Sequence, residues 1–165
     1  MDNYVCKIAT LDDITKKWDN DVKENNNDES VKIWRDKFIN SYKLGNRICY
    51  YGYLNDEVIT EASVIINKDD IPNGSILIDD DMGYLVAFKT KDKYQGLGYF
   101  SKLYHFMEND LRKRGYKRLS LGVEPKETRN RNIYFKWGYT NFIMQDVEGY
   151  PNGEEVIVDF YYKNL

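Results

Sequence analysis

The fold of this chain is decided by the stretch Met82–Tyr139, at whose centre stands Lys93-Tyr94-Gln95-Gly96-Leu97-Gly98. A short apolar run, Tyr84–Phe88, precedes this centre and has the length of a buried strand. Residues 99–114 follow with apolar residues at helical spacing, and Leu119–Val123 alternates as a second strand. Strand, glycine-bearing turn, helix and strand form a βαβ unit, which predicts two parallel neighbouring strands and a right-handed crossover.

The glycine-bearing turn at 93–98 is suited to bind an anion. It lies at the start of the predicted helix, where backbone N–H groups have no intrahelical partner and the helix dipole is positive. Gly96 and Gly98 remove two Cβ atoms that would keep a phosphate from those N–H groups. Three lysines add positive charge on the approach: Lys89, Lys91 and Lys93. The spacing excludes a Walker A loop and a dinucleotide fingerprint, which needs a third glycine where Ser101 stands. A phosphate-bearing ligand is therefore the first interpretation, and a purely structural turn is the alternative.

The rest of the chain predicts further strands and helices. The predicted strands are 4–9, 47–54, 57–66, 141–145 and 155–162, and the predicted helices are 11–18, 31–43 and one that ends near residue 137. Asn55-Asp56 predicts a hairpin, and Pro151-Asn152-Gly153 predicts a turn. The polar segment 19–30 predicts a solvated, mobile loop. On the helix after the glycine turn, His105 and Glu108 fall outside the apolar stripe and are predicted to face solvent.

Composition is that of one globular domain spanning 1–165. The chain has 165 residues, of which 42% are hydrophobic and 31% charged, and its net charge of −3 argues against a nucleic-acid-binding surface. No apolar run approaches the roughly 18 residues of a membrane span. The first residues lack the features of a signal peptide, so we expect a cytoplasmic protein without membrane contact. Cys6 and Cys49 are predicted to be reduced core thiols, and a single histidine predicts no metal site.

Three segments resemble motifs of the GNAT superfamily of N-acetyltransferases. Residues 93–98 are similar to its (Gln/Arg)-x-x-Gly-x-(Gly/Ala) pyrophosphate loop, with Lys at the first position. Residues 134–139 are similar to its Tyr-x-Lys-x-Gly-Phe segment, and 7–13 to its basic-x-Ala-Thr-x-x-Asp opening. The three segments lie in the family's order and span nearly the whole chain. The resemblance implies an α+β fold, with a mixed, largely antiparallel sheet of about seven strands and helices on both faces: the acyl-CoA N-acyltransferase fold.

The resemblance also implies a reaction: transfer of an acetyl group from acetyl-CoA to a primary amine by direct attack in a ternary complex. Because the thioester is already activated, the protein must orient both substrates, move two protons and stabilise an oxyanion. The two parallel strands are expected to splay apart and to pair with the pantetheine arm, with a backbone N–H near residue 86 or 87 holding the thioester oxygen. The expected coenzyme site consists of Val86, Ala87, Phe88, Lys93, Tyr94, Gln95, Gly96, Leu97, Gly98, Tyr99, Asn130 and Lys136.

Tyr134 is the candidate for the general acid. A phenol is protonated at neutral pH and can donate its proton to the leaving thiolate. The family's tyrosine at this position often has that role, although a packing role is the alternative in a chain with 15 tyrosines. Relatives usually have an asparagine seven residues earlier, where this chain has Glu127. Asn130 and Asn132 lie close, so the asparagine's role has either moved to one of them or been lost.

The general base is less well defined, because both base positions of relatives hold residues that are not acidic. They correspond here to Gly122 and Met82. Asp81, Glu61 and Glu124 are the remaining candidates, beside a water relay. These departures favour a small amine over a protein N-terminus or a histone-like tail as acceptor.

Two alternatives from other functional classes stay open. The chain is either an enzyme or a non-catalytic acyl-CoA-binding sensor or regulatory module, which the missing base would favour. If the glycine turn has only a structural role, the chain is instead an interaction domain. Its 15% aromatic residues would support that function through exposed Tyr and Trp patches. Exposed edge strands would allow a homodimer.

Overall fold

A single mixed sheet organises the molecule, as seen in a computed structural model that describes residues 3–150 and 152–165. Its strands are β1 (Tyr4–Ile8), β2 (Arg47–Leu54), β3 (Glu57–Ile65), β4 (Met82–Thr90), β5 (Arg118–Val123), β6 (Asn141–Gly149) and β7 (Glu155–Asn164). The helices are α1 (Leu11–Glu24), α2 (Glu29–Lys43), α3 (Gly74–Leu77), α4 (Tyr99–Lys113) and α5 (Thr128–Lys136). The strand order is β1-β2-β3-β4-β5-β7-β6, and only the β4–β5 pair is parallel. The predicted α+β fold with a largely antiparallel sheet is therefore confirmed.

Helices cover both faces of this sheet because successive residues of a strand point to opposite sides. On β2, Tyr50 packs with α4, whereas Cys49 and Tyr51 pack with α1 and α2. The apolar stripe of α4 is fully buried against the sheet and consists of Leu103, Tyr104, Met107 and Leu111. On the other face, α3 covers a second cluster that includes Tyr84 of β4 and Phe160 of β7. We call the first side the α4 face and the second side the α3 face.

The βαβ unit appears where the sequence predicts it, with α4 connecting β4 to the parallel β5. The hairpin at Asn55-Asp56 is also confirmed, and both residues have the positive φ angles, 48° and 67°, of a tight two-residue turn. His105 is exposed as predicted. The last two strands extend further than predicted, to Gly149 and Asn164, while Pro151 of the predicted turn lies outside the described residues.

The predicted loop at 19–30 is wrong. α1 continues to Glu24, and only a four-residue connection separates it from α2, which begins at Glu29. The helix persists because Val22 is buried, 5% exposed, and extends the apolar stripe. An ion pair one turn apart, Lys17 Nζ to Asp21 Oδ2 at 2.6 Å, supports the same turn. Composition indicated a polar loop because the polar residues of an amphipathic helix outnumber its apolar ones.

Glu108 of α4 is buried rather than solvated, which corrects a second prediction. It is 7% exposed, and its carboxylate accepts hydrogen bonds from Tyr104 Oη and Lys163 Nζ, each at 2.6 Å. Burial alone would raise the pKa of Glu108, but these hydrogen bonds and the positive charge of Lys163 lower it below its usual value. Lys163 comes from β7, so the prediction failed on a contact made 55 positions away in the chain.

Replacing Lys163 with methionine is expected to lower the free energy of unfolding by about 2 kcal/mol, because the buried Glu108 carboxylate then keeps only its longer, 3.3 Å ion pair with Arg112. Since the depressed pKa stabilises the fold at neutral pH, part of the loss should vanish as pH falls and Glu108 takes up a proton. Urea denaturation at pH 7 and pH 4 measures both effects. Lys16→Met is the control: its 3.0 Å pair with Asp12 is 74% exposed on both sides, so the variant should unfold at the same urea concentration as the natural protein.

No helix among the described residues combines the length and the apolar character needed to cross a bilayer.

Candidate active site

β4 and β5 are hydrogen-bonded to each other only along their first residues. They are paired only from Met82–Arg118 to Tyr84–Ser120, and beyond this point the two strands diverge. On its other side β4 carries a bulge, because Glu61 pairs with Lys89 and Ser63 with Val86, so that Ala87 and Phe88 together face Ala62. The edge of β4 that faces β5 is therefore free to pair with an extended ligand.

Ala87, at the bulge, has a backbone conformation that few non-glycine residues adopt. Its φ is 58°, in the left-handed region, and the residue is exposed. A bulge turns one peptide group out of the regular ladder, and strain of this kind is retained in proteins mainly where it serves a site. The bulge lies at the residues, 86 and 87, whose backbone N–H the family resemblance implies will hold the thioester oxygen.

The turn before α4 exposes the helix N-terminus. Gly98 is the N-cap residue with a φ of 86°, and no side chain caps the helix there. The first intrahelical bond is donated by the N–H of Lys102 to the carbonyl of Gly98, at 3.4 Å, so the N–H groups of residues 99–101 have no helical acceptor. Gly96 has a φ of 73°, and a Cβ built there would meet no atom within 4 Å. Open space thus lies beside unpaired donors, the geometry that an anion requires.

A cavity of about 750 Å³ runs from this turn to α5. Most of the predicted coenzyme residues line it: Phe88, Tyr94, Gln95, Gly96, Gly98, Tyr99, Asn130 and Lys136. Four predicted residues do not line it: Val86, Ala87, Lys93 and Leu97. The volume falls in the range of about 300–1,000 Å³ that small-molecule and cofactor sites occupy.

The positive charge at this cavity comes partly from residues that the sequence did not single out. Lys93 lies over the Tyr94 ring, 4.8 Å from its centroid, and Lys91 Nζ is 2.8 Å from Glu57 Oε1. The cationic residues that line the cavity are Lys89, Arg129 and Lys136. Arg129 is in the first turn of α5, and its charge was its only signal in the sequence.

Glu127 occupies the position where an asparagine was expected. It is the N-cap residue of α5 and lines the cavity, and its carboxylate accepts a hydrogen bond from Asn130 Nδ2 at 3.2 Å. Asn130 also lines the cavity. The two side chains are therefore hydrogen-bonded to each other at the start of α5, and the Asn130 amide lies about one turn after the position where the asparagine was expected.

Tyr134 lies at the other end of the cavity lining, next to the bulged strand. Its ring is 6.0 Å from that of Phe88 and 6.0 Å from that of Trp137, and the residue is half-buried. Burial raises the pKa of the Tyr134 phenol above its usual value, and the negative charge of Glu127 raises it further. The phenol is thus protonated at neutral pH and lies beside the strand edge expected to hold the thioester.

A family profile described as Acetyltransferase (GNAT) family matches residues 11–139, which is most of the chain. The chain belongs to the GNAT acetyltransferase family. No curated protein matches the sequence significantly. Membership of this family makes the protein an N-acetyltransferase that uses acetyl-CoA as its co-substrate.

Solved structures of GNAT acetyltransferases share this fold at low sequence identity. A ribosomal-protein-alanine N-acetyltransferase from Brucella melitensis superimposes with a TM-score of 0.70 at 16% identity, covering 98% of this chain and 99% of that one. The IAA acetyltransferase from Bacillus cereus gives 0.67 at 13% identity, with 98% and 99% covered. A GNAT family acetyltransferase from Elizabethkingia anophelis, solved with acetyl-CoA bound, gives 0.64 at 17% identity, with 100% of both chains covered. At these identities the likeness concerns the fold.

Two of the predicted base residues are not placed beside Tyr134. Glu61 lies on the α3 face, and Lys17 Nζ contacts both of its carboxylate oxygens, at 2.9 and 2.7 Å. Asp81 precedes β4 at the closed end of the strand pair, where its carbonyl accepts the N–H groups of Lys117 and Arg118. An ion-paired carboxylate and a distant one are both poorly suited to take a proton from the acceptor. Among the described residues, no cluster of metal-ligating side chains is found.

Some GNAT relatives carry a base glutamate at the position that Gly122 occupies here, and in this chain side chains of β7 cover that position. A Cβ built on Gly122 would lie 2.8 Å from Val158 Cγ1 and 2.9 Å from Phe160 Cε1. The Phe160 ring lies against Gly122, and its centroid is 6.2 Å from that of the Tyr84 ring. A larger residue is therefore excluded at 122 by the packing of β7. Glu124, two residues further along, is the predicted base candidate that follows the open end of β5.

Proposed function

We propose that this GNAT enzyme transfers an acetyl group from acetyl-CoA to the primary amine of a small molecule, by direct attack in a ternary complex. The observation that supports it most is the open edge of β4, bulged at Ala87, which runs from Tyr134 towards the uncapped N-terminus of α4. This edge would bind the pantetheine arm as an added strand, while the N-terminus of α4 binds the pyrophosphate.

In this mechanism different residues carry out the separate steps of the acyl transfer. The amine nitrogen attacks the thioester carbon, the N–H at the bulge near Val86 and Ala87 stabilises the oxyanion, and the C–S bond then breaks. Before the attack, a base takes a proton from the acceptor's ammonium and so frees the lone pair of the nitrogen. Tyr134 gives its proton to the departing thiolate, and the second proton that the nitrogen loses as the amide forms restores the phenol. Glu124 or a water molecule takes the first proton, because Glu61 is held by Lys17.

A small acceptor is favoured by the α3 face of the open strands. Phe160 and Val158 cover the backbone of Gly122 there, which leaves no carboxylate at the base position used for protein N-termini. We further infer that the enzyme works in the cytoplasm, where acetyl-CoA and small amines are both available. The predicted homodimer through an edge strand, β1 or β6, stays a prediction.

A non-catalytic acyl-CoA sensor is the second candidate, favoured by the ion pair that occupies Glu61. One measurement tests for coenzyme binding, which both functions require, and a second separates the two functions. In a thermal melt, acetyl-CoA at a hundred times its Kd should stabilise the protein by about 2.7 kcal/mol under both. Release of free thiol in the presence of primary amines is expected of the enzyme only. Stabilisation without amine-dependent thiol release would favour the sensor, and no stabilisation at millimolar acetyl-CoA would contradict both.

A further inference from the structure

A largely buried ionic cluster connects α1 to the sheet beside the bulged strand. Lys17 Nζ contacts both carboxylate oxygens of Glu61, at 2.9 and 2.7 Å, and Asp21 Oδ2 at 2.6 Å. We call these three residues the Lys17 cluster. The lysine side chain is 8% exposed, whereas those of Asp21 and Glu61 are 18% and 14% exposed. The cluster therefore reaches the surface through its two carboxylates.

Tyr51 places a hydroxyl without a partner beside this cluster. The register sets Tyr51 directly opposite Glu61, so both side chains point to the α3 face. Tyr51 is 1% exposed, and its Oη makes no hydrogen bond to any described residue. Burial raises the pKa of the phenol most, and the nearby charge of Glu61 raises it further. A buried hydroxyl without a partner is costly unless a ligand or water satisfies it.

Trp18 adds a second buried group without a partner. Its Nε1 has no hydrogen-bond acceptor within residues 3–150 and 152–165. The Lys17 ammonium lies 4.5 Å from the centroid of the Trp18 ring, and Trp18 and Tyr51 pack in the same group of apolar side chains. Both unpaired groups therefore lie beside the Lys17 cluster. They differ in what they need, because an indole N–H only donates, whereas a phenol hydroxyl donates or accepts.

The Lys17 cluster also lies next to the strand that would hold the thioester. Ala62, the residue that follows Glu61 on β3, faces the bulge at Ala87 and Phe88. Residues of α4 and α5 line the cavity for the coenzyme, so the α3 face is the side that is left for the acceptor. An acceptor on that face would therefore meet the exposed edge of the Lys17 cluster beside the bulge.

A hydroxyl group on the acceptor satisfies both unpaired groups. Its oxygen can accept a hydrogen bond from Trp18 Nε1, and its own O–H can donate to Tyr51 Oη. An ammonium has donors only, so it would leave the indole N–H without an acceptor and would compete with Lys17 for the carboxylates. A carboxylate could accept from both groups, but Asp21 and Glu61 would repel it. The neutral hydroxyl is therefore the group that fits.

We propose that the acceptor is a hydroxylated amine, such as an amino alcohol, and that its hydroxyl binds Tyr51 Oη and Trp18 Nε1 beside the Lys17 cluster. This inference rests on the proposed function, since it names the acceptor class of the same site. The reacting nitrogen then lies at the open edge of β4 beside the bulge, and the hydroxyl lies towards β3 and α1. Tyr51 and Trp18 are specificity residues in this scheme and take no part in the acyl transfer itself.

The test uses the full chain saturated with CoA, which forms a complex that cannot react. Calorimetric titrations compare amino alcohols of two, four and six carbons with the monoamine, the diamine and the amino acid of the same length. At the length that fits, we expect the amino alcohol to bind about tenfold more tightly than the other three. Tyr51→Phe should remove most of this preference while leaving monoamine binding unchanged. Trp18→Phe, which keeps an aromatic ring beside Lys17, should reduce the preference in part.

A thermal melt without acceptor distinguishes a ligand contact from a structural one. Because Tyr51 Oη has no partner among the described residues, Tyr51→Phe should melt at the same temperature as the natural protein or at a higher one. Tyr42→Phe is the matched control. Tyr42 packs in the same group of side chains, but its Oη donates to the carbonyl of Ala9 at 3.4 Å, so this variant should keep the preference for the amino alcohol.

Several results would overturn the inference. They are equal affinities for amino alcohol and monoamine at every chain length, a preference that survives Tyr51→Phe, and an equal loss in Tyr42→Phe. A lower melting temperature of Tyr51→Phe without any change in binding would assign the hydroxyl to an ordered water only, and would overturn the inference as well.

Turnover separates this inference from the proposed function. A value of kcat/KM for thiol release from acetyl-CoA that is as high with the monoamine as with the amino alcohol would keep the acetyltransferase reaction and overturn the hydroxyl selection. Amino alcohol binding that depends on Tyr51, without thiol release by any amine, would keep the hydroxyl selection and reject the proposed reaction.

Discussion

Tyr134→Phe is expected to lower kcat by about 10²–10³-fold while changing the affinity for acetyl-CoA by less than about threefold. The thiolate would then leave without a proton from a positioned acid, and general acid catalysis is worth about this factor. The variant keeps the ring that packs between Phe88 and Trp137, so it should fold and bind as before. Steady-state kinetics with saturating amine, together with a binding titration, measure the two quantities separately.

The pH dependence of kcat provides a second test of the role of Tyr134. Because burial and Glu127 raise the pKa of the phenol, Tyr134 stays protonated throughout pH 6–9, and the rise of kcat in this range should report only the base. That rise should persist in Tyr134→Phe at a lower level. Tyr161→Phe is the control: it removes a hydroxyl from a half-buried tyrosine that packs on Phe135 of α5 outside the cavity, and kcat should stay within about twofold. A similar loss in both variants, or none in Tyr134→Phe, would remove Tyr134 from the acid role.

Gly96→Val is expected to weaken acetyl-CoA binding by about 100-fold or more, the second large effect. A valine here would place its branched side chain in the open space beside the α4 N-terminus and would disfavour the left-handed backbone. Both effects act against the N–H groups that would hold the pyrophosphate, and hydrogen bonds to charged groups contribute about 1.5–3 kcal/mol each. Isothermal titration with acetyl-CoA measures the change directly.

Gly45→Val controls for backbone strain. Gly45 has a φ of 75°, nearly that of Gly96 at 73°, and a Cβ there also meets no atom within 4 Å. It follows α2 and does not line the cavity, so the variant should lose similar stability in a melt without losing affinity for acetyl-CoA. If Gly96→Val bound acetyl-CoA as well as the natural protein, the glycine turn would be a structural feature only.

Much of the site could be predicted because its parts are local in sequence. The glycine turn, the helix that follows it and the tyrosine of α5 each depend on residues within a few positions of one another. Helix and strand propensities and the geometry of helix ends depend on residues that are this close in sequence. The pattern of apolar residues and glycines therefore predicted a strand–turn–helix unit with an anion site. Lys93 is also near the turn in sequence, but its side chain lies over the Tyr94 ring and does not line the cavity, and no pattern within a few positions specifies that direction.

Contacts between distant segments were beyond this kind of prediction. Glu108 looked solvated on its helix and is buried because Lys163 of the last strand reaches it. From the sequence, Gly122 stands where some relatives have a base glutamate. In the fold, Phe160 and Val158 cover this position and leave no room for a larger side chain. Arg129, which shares the cavity with Lys89, gave no signal apart from its charge. In each case the deciding partner comes from another strand or helix of the sheet.

The sequence by itself determined the alternation of strands and helices, the βαβ unit and the glycine turn that leads into α4, because hydrophobic periodicity and glycine placement act within one or two helical turns. Only the tertiary structure decided where β4 and β5 separate and which carboxylates are neutralised. Glu61 and Glu127 are chemically identical side chains, yet Lys17 compensates the first, whereas the second lines the cavity and accepts a hydrogen bond from Asn130. Their difference lies in what the fold brings within a few ångströms of each, because interactions between charges depend on distance and burial rather than on position in the chain.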